Sequence, residues 1–344
     1  MVLALGSQAK NTLCLAKGDI AYISRIHADL SSPVDLADFE KDARYFLKMR
    51  PEIIACDLHP EYQSTKFALR LGARSLKLRA VQHHHAHIAG CMAENGLKNQ
   101  SVIGVAFDGT GLGADNRVWG AEFLLCDYRK FRRLAHLKEI PLVGGEQAIL
   151  EPWRALAAWL DFDKAIDKKQ ALKKIWQAGI NSPLASSMGR LFDAVGCLVL
   201  GKNKAGFEAE LAIALEKLAG KSKLRGPGYE FPFSRLRCEE EIDAAPVFRQ
   251  IQGDLQAKIP RPEIARRFHQ GVAEMIVRRA SGFRRKYGVG KIVLSGGVFQ
   301  NKLLLKITLD LLYKKDFRVF TQGKLPCNDA GISLGQAMIA GLRG

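Results

Sequence analysis

Short apolar runs alternate with longer stretches of helical spacing over the first hundred residues. The apolar runs predict six β-strands, at 2–5, 12–15, 20–24, 53–56, 76–81 and 102–107. Stretches with apolar residues spaced three and four apart predict three helices, at 33–49, 61–71 and 83–94. The first of these helices begins with Ser32-Pro33, a capping residue followed by a proline. Strands that alternate with helices in this way predict a layered α/β lobe.

Beyond residue 134 the pattern becomes mostly helical. Helical spacing recurs at 146–160, 164–178, 186–200, 207–218, 246–258 and 262–287. A buried strand at 291–294, a glycine turn, a further helix, a strand at 318–321 and a final helix after Asn328-Asp329 complete the chain. Because 344 residues are more than one compact core usually holds, we predict two lobes, 1–133 and 134–344, with the final helix packing back on the first lobe. The sequence shows no internal repeat.

The composition is that of a globular protein outside the membrane. Hydrophobic residues make up 47% of the chain and charged residues 25%, and no apolar run approaches the length of a membrane span. The seven cysteines are scattered and never spaced C-x-x-C, which argues against a disulfide framework and against a zinc knuckle. The first residues lack the pattern of a secretory signal, so we expect a reducing, cytoplasmic location.

A formal charge of +17 is compatible with a nucleic-acid partner, an acidic protein partner or simple solubility. Much of the excess lies on predicted helix faces, and aromatic residues do not interleave with it as a base-stacking platform requires. We therefore interpret the basic residues as solvated helix faces and do not expect a nucleic-acid partner.

The run HHHAH at 83–87 holds four of the eight histidines of the chain. If a helix starts there, His83 and His87 lie at i and i+4 on one face, a spacing that lets two imidazoles bind one metal ion. The alternative is a polar helix start whose histidines meet backbone carbonyls. The density of imidazoles favours the metal, since neutral imidazole is the commonest metal ligand.

Carboxylates complete such a site, and two are well placed in the sequence. Asp108 follows the predicted strand VIGVAF and precedes Gly109-Thr110-Gly111, so it lies at a strand end beside flexible backbone. Asp329 lies in CNDAGISLGQ, where an ordinary helix N-cap is as good an interpretation as a metal ligand.

The segment SGGVFQN at 295–301 follows the strand KIVL and opens a helix. Backbone N–H groups at a helix N-terminus favour a phosphate, and the adjacent Gly296 and Gly297 let a ligand approach closely, although a plain turn is the alternative. The segment GLGADNR at 111–117 is more typical of a hairpin turn than of a second phosphate loop. Asp193 in SSMGRLFDAVG could bind ribose hydroxyls, or could be merely exposed on its helix.

Nine segments, in register along the chain, resemble the C-terminal carbamoyltransferase domain of the HypF family, which matures nickel-iron hydrogenases. They are KNT (10–12), DLHPEYQST (57–65), VQHHHAH (81–87), AFDGTGLG (106–113), WGAEF (119–123), EPWR (151–154), SSMGRLFDAV (186–195), SGGVFQN (295–301) and NDAGISLGQ (328–336). The wider superfamily includes tRNA threonylcarbamoyl-adenosine transferases and antibiotic carbamoyltransferases. The resemblance implies an α/β protein with the two-lobed actin and sugar-kinase-like fold and an active-site cleft between the lobes.

The resemblance also implies two sets of ligand-binding residues. The set for a divalent metal, either iron or zinc, is His83, His87, Asp108 and Asp329. The set for an adenine nucleotide, as carbamoyl-adenylate or ATP, is Asp193, Gly296, Gly297 and Asn301.

The implied reaction transfers a carbamoyl group from carbamoyl-adenylate to the C-terminal cysteine of HypE, with the metal polarising the carbamoyl oxygen. We expect Lys10 to neutralise phosphate on the donor, and His84, His85 or His59 to relay a proton from the acceptor, with at least one of these histidines supporting the site from behind. HypE and a carbamoyl-adenylate-forming domain or protein are the implied partners. Two alternatives stay open at this point: threonylcarbamoyl transfer to tRNA, which the basic surface would suit, and a non-catalytic scaffold that holds HypE.

The sequence departs from the family pattern in two places. The acylphosphatase, zinc-finger and adenylate-forming domains of complete HypF proteins are absent from this sequence, so we expect the donor to come from another polypeptide or from a longer parent chain. The segment GFEAELA at 206–212 stands where the family has a pattern closer to YEGQAA, and it lacks the Gly-Gln pair of that pattern.

Overall fold

The computed structural model describes residues 1–72, 76–162, 167–223, 226–236 and 238–342. Within those ranges the strands are β1 (Val2–Ala4), β2 (Ala9–Asn11), β3 (Cys14–Lys17), β4 (Ile20–Ile23), β5 (His27–Asp29), β6 (Ile53–Asp57), β7 (Lys77–Val81), β8 (Val102–Leu112), β9 (Val118–Cys126), β10 (Phe131–Leu137), β11 (Ile140–Pro141), β12 (Leu184–Ala185), β13 (Phe233–Leu236), β14 (Glu239–Ile242), β15 (Lys291–Ser295) and β16 (Arg318–Thr321). The helices there are α1 (Pro33–Leu47), α2 (Gln63–Gly72), α3 (His83–Glu94), α4 (Gln147–Leu150), α5 (Trp153–Trp159), α6 (Asp167–Gln177), α7 (Met188–Leu200), α8 (Glu210–Ala219), α9 (Ala245–Gln256), α10 (Arg261–Tyr287), α11 (Lys302–Tyr313) and α12 (Ile332–Leu342). Short 3-10 turns at Gly297–Gln300 and Asp329–Gly331 precede α11 and α12. No helix in the described part of the chain has the length and apolar character that crossing a bilayer requires.

Two sheets with the same core topology form the two lobes. In the first, the strand order is β4-β3-β1-β6-β7; β4 and β1 run antiparallel to β3, whereas β6 and β7 run parallel to β1. In the second, the order β10-β9-β8-β15-β16 repeats these directions, and β14 and β13 extend the sheet beyond β10. The predicted two-lobed actin and sugar-kinase-like fold is therefore confirmed. Its duplication lies in strand order and direction, which explains why the sequence shows no repeat.

The second sheet begins earlier than the predicted lobe boundary after residue 133, which falls inside β10. The second sheet includes β8 because β8 pairs in parallel with β15, a strand remote in sequence, with Ile103 opposite Ile292. In the sequence, β8 looks like one more strand of the α/β alternation of the first lobe. The stretch beyond residue 134 also contains strands β11 to β14, which have only two to four residues each and leave little periodicity to detect.

Most of the predicted helices are present, with shifted ends. The helix predicted at 146–160 is two helices, α4 and α5, because Pro152 between them lacks the N–H group that a continuous helix needs. The predicted start of the 164–178 helix lies outside the described residues, and α6 covers Asp167–Gln177. The GLGADNR segment forms the turn between β8 and β9, as predicted.

Helices α3 and α12 cross between the two sheets. Helix α3 packs over β8 and β15 of the second sheet, and α12 packs over β1 and β6 of the first. The two helices approach closely because Gly335 lies at the crossing, where a Cβ atom would be 1.9 Å from the carbonyl oxygen of Ala86. The amide of Gln336 makes two hydrogen bonds to the backbone of Gly6, at 2.9 and 3.1 Å, which ties α12 to the first lobe. The first turn of α3 therefore lies beside the turn that precedes α12.

Candidate metal centre and active-site cleft

Four side chains from three separate segments converge between the lobes. His83 and His87 lie one turn apart at the start of α3, Asp108 lies within β8, and Asp329 opens the turn before α12. The Nε2 atom of His83 is 3.4 Å from Asp108 Oδ2 and 3.7 Å from Asp329 Oδ1. The Nε2 atom of His87 is 3.6 and 3.7 Å from the same two oxygens. One ligand atom from each of the four residues lies within 4.8 Å of the others, so a single cation could contact all four.

The unpaired nitrogens of this cluster fit a metal ion. The Nε2 atoms of His83 and His87 are buried and have no hydrogen-bond partner, and their distances to the carboxylates are too long for good hydrogen bonds. A buried polar atom without a partner costs free energy unless something outside the protein satisfies it. Two imidazole nitrogens with two carboxylate oxygens make a donor set that suits either iron or zinc.

The electrostatics of the cluster also favour a cation. Burial opposes a charge on His83, but the carboxylates of Asp57 and Asp329 outweigh it and raise the pKa of His83 well above its ordinary value. For His87, burial is likewise outweighed by Asp108 and Asp329, and its pKa is raised. Burial would raise the pKa of Asp108, yet the two imidazoles hold it well below its usual range. Without a metal, protons on the imidazoles would supply the positive charge that the two carboxylates attract.

Asp57 is a candidate site residue that the sequence analysis missed. Its Oδ2 atom lies 2.8 Å from Nδ1 of His83, and its Oδ1 atom accepts a hydrogen bond from the backbone N–H of His59 at 3.0 Å. A carboxylate on the far nitrogen of a ligating histidine fixes the tautomer and the direction of the ring. The contact follows from the parallel pairing of β6, which Asp57 ends, with β7, the strand that leads directly into His83, and no local pattern in the sequence shows that pairing.

The remaining histidines of the run lie away from the cleft. His84 is fully buried, its Nδ1 atom is 3.1 Å from the amide nitrogen of Gln82, and burial lowers its pKa to about 3. His85 is also buried, with Nε2 at 2.6 Å from the carbonyl oxygen of Asp127. A proton relay through His84 therefore stays a prediction without a contact to the cleft. His59, by contrast, lines the cleft and stacks on Tyr62 at 4.3 Å between ring centroids.

The candidate cluster opens on a cavity of about 850 Å³ between the lobes. The predicted site residues that line this cavity are Lys10, His59, Asp108, Gly297, Asn301 and Asp329. Asp108 faces both ways, because its Oδ2 atom belongs to the cluster while its Oδ1 atom accepts a hydrogen bond from the backbone N–H of Gly297 at 2.9 Å. The candidate metal site and the predicted nucleotide site are therefore two ends of one cleft.

The glycine turn differs from the prediction in what its backbone does. The N–H of Gly296 donates to the carbonyl oxygen of Cys327 at 2.9 Å, and that of Gly297 donates to Asp108. Both groups are thus satisfied within the protein, so these glycines would serve a ligand by leaving space and not by donating to it. Gly296 is required in any case, since its φ is +102° and a Cβ atom there would lie 2.2 Å from the carbonyl oxygen of Phe107.

Asp193 does not line the cleft. It is 2% exposed and lies 2.9 Å from the guanidinium of Arg190, and burial raises its pKa. Arg190 and Phe192, its neighbours on α7, line the cavity instead. A ribose contact from Asp193 stays a prediction, and it would require the side chain to leave its ion pair.

Lys10 and Glu208 also line the cleft. The Nζ atom of Lys10 lies 3.7 Å from Glu208 Oε2, and both side chains are about half exposed. The next residue, Ala209, has a φ of +63°, in the left-handed region where glycine is favoured. Ala209 stands where the family pattern YEGQAA has its glycine, so the departure noted in the sequence falls on a strained position.

Two sheets of one duplicated topology, with acidic and histidine side chains meeting in the cleft between them, define a two-lobed α/β protein of the actin and sugar-kinase-like class with a candidate metal site. Residues 1–94 match the family model described as "HypF Kae1-like domain", and residues 104–336 match "Carbamoyltransferase, Kae1-like Domain, second subdomain". The chain belongs to the HypF carbamoyltransferase family.

Individual relatives agree with this assignment. The chain is 37% identical to "Carbamoyltransferase HypF" of Rhodobacter capsulatus over 98% of its own length and 46% of that protein. It is 34% identical to a "Carbamoyltransferase HypF homolog" of Cupriavidus necator, over 98% of its own length and 91% of the homolog. A crystal structure of full-length HypF in a phosphate- and nucleotide-bound form superposes with a TM-score of 0.92 at 38% identity, covering 98% of this chain and 46% of that one. The chain thus spans about half the length of full-length relatives.

Proposed function

We propose that this chain transfers a carbamoyl group from carbamoyl-adenylate to the C-terminal cysteine of HypE, in a metal-dependent step of nickel-iron hydrogenase maturation. The observation that carries the proposal is the cluster of His83, His87, Asp108 and Asp329, which opens on a cleft large enough for a nucleotide. Membership of the HypF family supports the chemistry. The proposed partners are HypE and a domain or protein that supplies carbamoyl-adenylate, and the proposed compartment is the cytoplasm.

In this proposal the cluster holds iron or zinc, which supplies a Lewis acid for the carbamoyl oxygen. Asp57 keeps the ring of His83 directed at the cluster. Asp108 is held in place through its hydrogen bond from Gly297. Lys10 exchanges its ion pair with Glu208 for one with the phosphate of the donor.

The transfer itself forms one bond and breaks one. The cysteine sulfur of HypE attacks the carbamoyl carbon, and the bond between that carbon and the phosphate oxygen breaks, so AMP leaves with the electron pair. The thiol proton passes to His59, which lines the cleft. Burial lowers the pKa of His59, which favours the neutral imidazole. Its Nδ1 atom accepts a hydrogen bond from the backbone N–H of Glu61 at 3.2 Å, so the ring takes the thiol proton only with the loss of that bond.

The test is incubation of the metal-loaded chain with carbamoyl-adenylate and HypE, followed by mass spectrometry of the HypE C-terminal peptide. The proposal requires a carbamoyl adduct on the cysteine, and its absence with HypE whose terminal cysteine is alanine. If HypE binds the chain but gains no carbamoyl group, the chain acts as a scaffold and the proposed transfer is wrong.

One further candidate, threonylcarbamoyl transfer to tRNA, is compatible with the net charge of +17, although we interpret the basic residues as solvated helix faces. Binding through phosphates would weaken steeply as salt increases. Salt-dependent tRNA binding together with transfer to tRNA would support this alternative over HypE.

A further inference from the structure

His269 is a buried histidine on α10 that takes no part in the metal cluster. Its side chain is fully buried, and its ring packs edge-on against Phe192, with 5.4 Å between centroids. Phe192 lines the cleft, and so does Asn301, whose amide nitrogen lies 2.9 Å from His269 Nε2. His269 thus lies directly behind the wall of the proposed nucleotide end of the cleft.

The hydrogen-bond pattern fixes which atoms donate. The side-chain oxygen of Asn301 caps α11 by accepting from the backbone N–H of Leu304 at 2.8 Å, so the amide NH2 group must face His269. On the other side of the ring, Nδ1 lies 2.8 Å from the carbonyl oxygen of Ala265 and must donate to it. Nε2 is therefore the acceptor, and the imidazole is neutral. Burial lowers the pKa of His269 to about 4, which keeps this tautomer in place at physiological pH.

The amide NH2 group of Asn301 has two hydrogens, and only one of them is donated to His269. The first is accepted by His269, and among the residues that the structure describes no acceptor is recorded for the second. Because Asn301 lines the cleft, the second hydrogen is available to a ligand there. With the oxygen on Leu304 and one hydrogen on His269, the amide cannot flip without losing both partners.

We propose that His269 is a positioning residue, which holds the amide of Asn301 so that it donates a hydrogen bond to an acceptor atom of the bound nucleotide. The inference rests on the proposed function for the presence of an adenine nucleotide in the cleft. The inference adds the direction of one hydrogen bond: Asn301 donates, so the ligand atom opposite it must be an acceptor, such as a phosphate oxygen or a ring nitrogen.

The experiment compares two replacements of His269 in the full chain. His269→Leu removes the acceptor, whereas His269→Gln keeps an acceptor oxygen on a side chain of similar length. Thr308→Val is the matched control, because Thr308 is a buried residue on α11 whose hydroxyl donates within its own helix, to Leu304 O. AMP binding is measured by calorimetry, and KM and kcat for carbamoyl-adenylate are measured alongside.

We expect His269→Leu to weaken AMP binding about tenfold and to raise KM with little change in kcat, because a ground-state contact is lost. His269→Gln should bind AMP within about threefold of the unaltered chain, and Thr308→Val should bind within about twofold. If His269→Leu binds AMP as well as the unaltered chain, or if His269→Gln is as weak as His269→Leu, the acceptor role is wrong.

A second variant keeps the inference testable if His269→Leu does not fold. Asn301→Asp retains a good helix cap but replaces the donor with an acceptor. AMP binding should then weaken by more than about tenfold, and an unchanged affinity would overturn the inference. An unaltered chain that does not bind AMP at all would instead overturn the proposed nucleotide site, and the inference with it.

Discussion

The two ends of the cleft hold their functional groups by different physical means. At the deep end, which is the candidate metal centre, His83, His87 and Asp108 are buried, and the imidazole nitrogens lie 3.4 to 3.6 Å from the Asp108 carboxylate. At the open end, Lys10 and Glu208 form an ion pair whose side chains are 48% and 54% exposed. Loss of a buried charge leaves its partner uncompensated, whereas an exposed pair is screened by solvent and contributes little. Equivalent substitutions should therefore have very different effects at the two ends.

The largest difference is expected from the same carboxylate-to-amide change at each end. Asp108→Asn should weaken metal binding by about 3–5 kcal/mol, more than a hundredfold, because it removes an anionic ligand from a buried site. Glu208→Gln, its control at the open end, should leave metal affinity within about twofold. Both are measured by titration against a competing chelator. Equal metal affinities in the two variants would show that the cluster does not bind the ion.

Asp57→Asn tests whether the contact between Asp57 and His83 supports metal binding at the deep end. We expect metal affinity to fall about 10–100-fold, since the amide can no longer fix the tautomer of His83 as the carboxylate does. The same chelator titration measures this, and thermal unfolding of the metal-free chain serves as the control for folding. Unchanged metal affinity in Asp57→Asn would mean that the contact to His83 is merely structural.

The pH dependence of stability should have opposite signs at the two ends. His269 has a folded pKa of about 4, below the ordinary 6.5, so the unfolded chain binds the proton first and stability is lost as pH falls from 6.5 towards 4. The pKa of His83 is raised, so its contribution in the metal-free chain is lost as pH rises. As the pH falls from about 7.5 to about 5, His269 should lower the free energy of unfolding by about 2 kcal/mol.

Urea unfolding of the metal-free chain and of His269→Gln at these two pH values isolates that contribution. The variant should lose less stability on acidification than the unaltered chain, by about 2 kcal/mol. Identical losses in both proteins would show that His269 is not held neutral by the fold.

The smallest effect is expected at Ala209, which follows Glu208 at the open end of the cleft. Ala209→Gly should stabilise the fold by about 0.5–1 kcal/mol, because the residue has a φ of +63° that glycine adopts without strain. Ala214→Gly, in the right-handed part of the same helix α8, should instead destabilise by about 1 kcal/mol. Urea unfolding midpoints compare the two. A destabilised Ala209→Gly would contradict the assignment of strain.

The deep end was largely predictable because its signals are local. The spacing of His83 and His87 on one helix face, and the place of Asp108 on an apolar strand, follow from short stretches of sequence. Asp329 needed the family resemblance, since its position in a helix cap is equally ordinary. Asp57 was missed because its contact depends on the parallel pairing of β6 with β7, which no local pattern shows.

The open end was harder to predict because its contacts are long-range. The ion pair of Asp193 with Arg190 lies within α7, but which of the two faces the cleft depends on how α8 packs against that helix. The backbone groups of Gly296 and Gly297 are engaged by Cys327 and Asp108, which are remote in sequence. Only the long-range pairing of β8 with β15 assigns β8 to the second sheet, and no local pattern shows it.

The most direct test of the account is metal analysis of the purified chain and of the double variant His83→Ala/His87→Ala, with carbamoyl transfer to HypE measured on the same samples. The account predicts about one iron or zinc ion per unaltered chain together with transfer, and neither metal nor transfer in a folded double variant. A double variant that keeps its full metal content and its carbamoyl transfer would contradict it.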